Sequence, residues 1–155
     1  MRLLRTQFAF EAMTSHLDGI GRNALIESFF VQYLLVCFYS EVESELAKII
    51  AARLSTIGDP KVACFIQKTN DAMIRRTKKS EINDILKKFG CADGELLGDS
   101  IDAISIQPYF DAITNRHLVS HYDGSGMTFE DFRKSLDCAE QVFRFVESAI
   151  AAVPA

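Results

Sequence analysis

The side chains best suited to chemistry in this chain sit in the segment Arg116-His117-Leu118-Val119-Ser120-His121. An imidazole titrates near neutrality and can take or return a proton. A guanidinium stays charged and can hold phosphoryl or carboxylate oxygens through parallel donors. The surrounding pattern predicts a helix from Pro108 to about Tyr122, with an apolar stripe of Tyr109, Ala112, Ile113 and Val119 and with Phe110 at its edge. At about 100° per residue, Arg116 projects into the middle of that stripe, and His121 lies roughly 140° further round, at its rim. An arginine so placed must meet a carboxylate, a phosphate or a wet interface, because burying it unpaired is costly. A buried ion pair to Glu43 is one solution, and a catalytic or phosphate-binding role is the other. The two are compatible, since an acidic partner can hold the arginine in place.

His117 and His121 also stand four apart, the spacing of a helical metal pair. Leu118 occupies the place of the Glu in an HExxH motif and no third ligand is evident, so neither a metal nor any other cofactor is predicted. Arg75, Arg76, Lys78, Lys79, Lys87 and Lys88 place six of the seventeen basic residues within fourteen positions. Such a run is either a solvated face or a track for a nucleic-acid backbone. Tyr122 can stack a base or cap the core.

The elements that must position these groups all have a helical period. A first helix covers roughly Arg2 to Leu17, with Leu4, Phe8 and Met13 turned inward and Gly19 and Gly21 ending it. A long second helix runs from about Asn23 to Leu54. Its first half is apolar almost all round, and its second half narrows to Val42, Leu46, Ile49, Ile50 and Leu54, the pattern of a central helix buried on most sides. Asp59 caps a third helix that starts at Pro60 and runs to about Arg76. Ser80 caps a short fourth helix closed by Gly90, and Cys91 to Ile106 is a loop. After the Arg116 helix, Thr128 and Asp131 resemble a capping box. The last helix then spaces Phe129, Phe132, Leu136, Ala139, Phe143, Val146, Ile150 and Val153 by threes and fours, a seam that wants the second helix or another subunit against it.

Composition bounds the rest. Hydrophobic residues make up 48% and charged residues 25%, a globular balance. The 155 residues suffice for one domain, residues 1–155, and the few Gly and Pro leave little room for an all-β fold. The expected fold is therefore an all-α, up-and-down bundle of five to six helices around a long second one. The net charge of −4 confines any contact with nucleic acid to a local patch. Cys37, Cys64, Cys91 and Cys138 are scattered and read as reduced thiols. The N-terminus lacks the apolar run of a signal peptide, and the stretch Leu25 to Tyr39 is short for a bilayer and carries Glu27 and Gln32. A cytoplasmic protein with no membrane partner is expected.

The Arg-x4-His pattern of Arg116 and His121, with polar His117 directly after Arg116, resembles the signature of the HEPN superfamily. The long apolar second helix with Glu41, Glu43 and Glu45, and the final helix after a Gly turn, agree with that bundle. Lys78 to Gly90 with its loop looks like the insert of ribonuclease-type branches found in bacterial defence and toxin loci. The resemblance implies metal-independent cleavage of single-stranded RNA through its 2′-OH, with His121 moving protons, Arg116 holding the phosphoryl group and His117 orienting the pair or touching phosphate. It also implies a two-fold homodimer with the two Arg116-to-His121 segments facing each other. A neutralising antitoxin or a defence-system protein encoded by an adjacent gene is the implied partner. In the branch inactivated by modification, a Tyr stands two residues after the motif His. Here that position is Asp123, with Tyr122 beside His121. The alternative of another class is a non-catalytic module that dimerises and binds a partner protein or a nucleotide.

Overall fold

The computed structural model describes residues 2–69, 77–102, 104–119 and 126–151, with the side chains of 117–119 left aside. Among these residues there are helices and no strand: α1 (Leu4–Ile20), α2 (Ala24–Leu54), α3 (Pro60–Thr69), α4 (Lys79–Lys88), α5 (Gln107–Val119) and α6 (Phe129–Ala151), with one 3-10 turn at Asp93–Glu95. The expected all-α bundle is what forms. Helix α2 is its axis, packed by α1, α5 and α6 along its length and by α3 near its end.

Local chemistry explains most boundaries. Asn23 Oδ1 accepts from the N–H groups of Leu25 and Ile26, and Asp59 Oδ1 from those of Lys61 and Val62, so both N-caps are side-chain oxygens satisfying orphan donors. Gly90 takes φ 92° after α4, and the Cys91 N–H reaches back to the Leu86 carbonyl, a left-handed stop suited to glycine. Ser80 is not the cap of α4. The helix starts one residue earlier, and Glu81 folds back to accept from the N–H groups of Thr77 and Lys78. Helix α1 runs through Gly19 to Ile20 before Gly21 ends it.

The inward face of α1 also differs from the periodic expectation. Leu4 and Phe8 are exposed, and the buried line is Leu3, Thr6, Phe10 and Leu17 with Met13 half-buried. The reason is Glu41 on α2, which accepts from the Arg5 and Thr6 N–H groups and from the Thr6 hydroxyl at 3.0, 2.7 and 2.6 Å. A carboxylate from another helix thus caps α1 and makes a buried Thr worthwhile, so an apolar count selects the wrong side. Helix α2 meets its expected stripe at Val42, Leu46, Ile49, Ile50 and Leu54, all buried. Its first half is not covered all round, however: Leu25, Phe29, Tyr33 and Val36 face outward. By length and composition α2 could cross a membrane, but Leu34, Leu35, Phe38 and Val42 are wholly or almost wholly buried within the bundle.

The seam on α6 closes within the chain. Phe129, Phe132, Ala139, Phe143, Val146 and Ile150 are buried and Leu136 half-buried, against α2 and α5, while Val153 lies outside the described residues. Phe10, Phe132, Phe38 and Tyr109 form a ladder of rings joining α1, α6, α2 and α5, with centroids 5.8–6.0 Å apart. The segment between α4 and α5 is irregular, as expected, yet it buries Leu96, Leu97 and Ile106. Asn83 pins it by accepting from the Leu97 N–H and donating to the Leu97 carbonyl.

Candidate functional site

Helix α5 is held before it presents anything. Tyr109, Ala112 and Ile113 are buried, as their spacing predicts, and Phe110 is half-buried. The Ser135 hydroxyl of α6 donates to the Pro108 carbonyl at 2.9 Å, and the Tyr109 hydroxyl donates to the Thr77 carbonyl at 3.0 Å. These contacts fix the rotation of α5 about its axis. Arg116, two turns on, therefore leans toward α2.

Its partner there is an aromatic face. The Arg116 guanidinium carbon lies 4.5 Å from the centre of the Tyr39 ring, and both residues are half-buried. The quadrupole of a phenol ring attracts a cation over its face and leaves the guanidinium edge, where the N–H donors lie, outside the stack. Glu43, the acidic partner anticipated for Arg116, lies at the Tyr39 phenol. Burial chiefly raises the Tyr39 pKa, and the charge of Glu43 and its hydrogen bond raise it too, while the Thr77 hydroxyl and Arg116 pull it down. Tyr39 is therefore a neutral donor at physiological pH. Tyr109 is pushed far up by complete burial first, then by the charges of Tyr39 and Glu81.

Glu41, Glu43 and Glu45 do not form one acidic patch. Glu41 caps α1, Glu45 pairs with Lys48, and Glu43 alone faces the Arg116 cluster. At about 100° per residue Glu43 lies roughly 200° from each of the other two, whereas Glu41 and Glu45, about 40° apart, share a side but take different partners.

Thr77 links this cluster to the basic segment. It is buried, its carbonyl holds Tyr109, and its hydroxyl makes no well-formed hydrogen bond although it is near enough to the Tyr39 phenol to affect its titration. The next residues, Lys78 and Lys79, are exposed at the start of α4. The structure thus sets Thr77, the residue directly before Lys78 and Lys79, against Tyr109 and Tyr39, on whose ring Arg116 lies. Lys87 and Lys88 sit at the far end of α4, where Lys87 pairs with Asp93 at 3.1 Å. Arg75, Arg76, His121 and Tyr122 lie outside the described residues, as does the side chain of His117. The His117–His121 metal pair falls there too.

Tyr39 and Thr77 were not singled out by sequence. Tyr39 carries a signal that could have found it, since it stands four residues before Glu43 on the same helical line. Thr77 carries none. A groove of about 720 Å³ between α1 and α6, bordered by Glu11, Asp18, Arg133 and Asp137, shares no residue with this cluster. No family model, no curated protein and no solved structure matches this chain.

Proposed function

We propose that the chain is a metal-independent endoribonuclease of the HEPN type, acting on single-stranded RNA. The observation that carries the reading is Arg116: a guanidinium seated on the Tyr39 ring at 4.5 Å, half-buried, on the helix that leads to His121. The stack on the ring leaves the N–H edge of the guanidinium outside it, where an anion can be met. Lys78 and Lys79, exposed and directly after Thr77, which is bonded to Tyr109 of the Arg116 helix, offer further phosphate contacts.

In this reading His121 takes the proton of a ribose 2′-OH, which attacks the adjacent phosphorus. The bond to the 5′-oxygen breaks, that oxygen takes up a proton from imidazole, and the upstream fragment keeps a 2′,3′-cyclic phosphate. Arg116 opposes the negative charge that builds on the phosphoryl oxygens. A homodimer that brings two Arg116-to-His121 segments together would supply one imidazole as base and one as acid. His117 orients the motif or touches phosphate, Tyr122 stacks a base, and Arg75 and Arg76 extend the track. The protein is placed in the cytoplasm as the toxin or effector arm of a bacterial defence or toxin–antitoxin system, restrained or triggered by a protein from an adjacent gene.

The test is cleavage of single-stranded RNA in EDTA with analysis of the ends. Cyclic phosphate on the upstream fragment, no cleavage of DNA and a block by 2′-O-methyl at the cut site are expected. His121→Ala should lose on the order of 10²–10⁴-fold in rate with RNA binding retained. Activity that vanishes in EDTA and returns with a divalent ion would overturn the mechanism. No activity in any form, alone or with the neighbouring gene product, would leave the non-catalytic binding module.

A further inference from the structure

We infer that Tyr109 is a positioning residue: its buried hydroxyl ties the start of α4, with Lys78 and Lys79, to the helix that carries Arg116, so that these cations meet one RNA backbone as a preset group. The ligand, a run of RNA phosphates, is that of the ribonuclease reading, on which this inference rests. Tyr109 is completely buried, and its ring packs edge-on against Phe38 and Phe110 with centroids 6.0 and 5.0 Å away. A phenylalanine would make the same ring contacts. The hydroxyl is a separate matter, because a buried phenol needs an acceptor inside the protein. It donates to the Thr77 carbonyl at 3.0 Å, thirty-two positions earlier in the chain.

Thr77 is held on each of its polar sides. Its N–H and that of Lys78 donate to the Glu81 carboxylate at 3.2 and 3.0 Å, its carbonyl accepts from Tyr109, and its hydroxyl lies at the Tyr39 phenol. Tyr39 has the Arg116 guanidinium over its ring, so Thr77 and Arg116 adjoin one side chain. Apolar burial alone leaves this end of α4 loosely defined. Ile82, Ile85 and Leu86 decide which face of α4 turns inward, but all three lie beyond its first three residues. Helix ends fray where nothing holds them. The contacts of Thr77 therefore decide where that first turn sits.

What the turn presents is positive charge. Lys78 and Lys79 are exposed, and among the described residues neither pairs with a carboxylate, in contrast to Lys87 with Asp93. Two cations on a fixed turn lose less freedom on meeting a phosphate backbone than two on a frayed one. Tyr109 thus acts on RNA through Thr77, without touching it. A role in packing alone would need the ring and not the hydroxyl.

Tyr109→Phe on the full chain keeps the ring and removes the tether. In hydrogen exchange the Ile82 amide, which donates to the Lys78 carbonyl, should exchange roughly ten-fold faster in the variant, with amides in the middle of α2 unchanged. Binding of single-stranded RNA across a salt series gives the second readout. Lys78→Ala with Lys79→Ala should flatten the wild-type slope of log Kd against log salt by roughly 1.4, about 0.7 per phosphate contact. In Tyr109→Phe the slope should already be flatter, and the same lysine changes should alter it far less. Glu81→Ala, which frees the same turn from its other side, should repeat both effects and replaces Tyr109→Phe if that variant folds poorly. Unchanged exchange at Ile82, a full lysine effect in the variant, or a wild type that binds no RNA would each overturn the proposal. Coupled, salt-dependent binding without cleavage would support the tether and sink the ribonuclease reading alone.

Discussion

At the scale of single residues, Arg116 and Tyr39 define what the site can hold. An arginine paired with a carboxylate has its charge largely cancelled, whereas one on an aromatic face keeps it. Two substitutions at Tyr39 separate the ring from the hydroxyl. Tyr39→Phe retains the face and removes the phenol, and it should cut RNA within a few-fold of wild type. Tyr39→Leu removes the quadrupole, a contribution of about 0.5–2 kcal/mol, and should slow cleavage by roughly ten-fold. Rate and KM on one RNA substrate, with thermal melting alongside, check this. Equal losses in both variants would assign the contribution to the phenol and its contact with Glu43. The wider lesson at this scale concerns Thr6, a polar residue buried because Glu41 completes its hydrogen bonds.

Elements are set by their ends as much as by their faces. Helix α6 begins where the Thr128 hydroxyl accepts from the Asp131 N–H at 3.1 Å and donates to its carboxylate at 2.6 Å. That hydrogen bond is the main reason the Asp131 pKa falls below its ordinary 3.8, with Lys134 assisting. A lowered folded pKa means a contribution to stability that is present above 3.8 and lost as pH falls through the folded value. Thr128→Ala should cost about 1 kcal/mol at neutral pH. Melting curves of wild type and variant should therefore draw closer in acid, where the carboxylate contact is lost, without merging, because the Asp131 N–H still donates to Thr128 in the wild type. Parallel curves across the whole range would show that the carboxylate plays no part in the cap.

For the molecule as a whole, stability resides in the ring ladder and in the closure of α6 on α2. Phe132 is completely buried and touches both Phe10 and Phe38, so three helices lose contact when it is truncated. Phe132→Ala should cost about 3–5 kcal/mol in denaturant unfolding. Phe65→Ala, at a ring 70% exposed, should stay within about 0.5 kcal/mol. Similar losses at the two positions would contradict the placement of the core.

Among the described residues, helix type and most boundaries were legible in the residues alone, because caps, glycine stops and a 3.6-residue apolar repeat act over a few neighbours. The seam of α6 and the buried stripe of α5 belong to this class, and so does the position of Arg116 within that stripe. Other features needed contacts between distant segments. Which face of α1 turns inward depended on Glu41, thirty-five positions beyond Thr6. That Arg116 meets a ring followed from the docking of α5 on α2, which no local pattern encodes. Whether the apolar seam of α6 and the apolar start of α2 are covered was likewise decided only by packing. Periodicity tells that a face is apolar, and only the tertiary structure shows whether another helix of the same chain covers it.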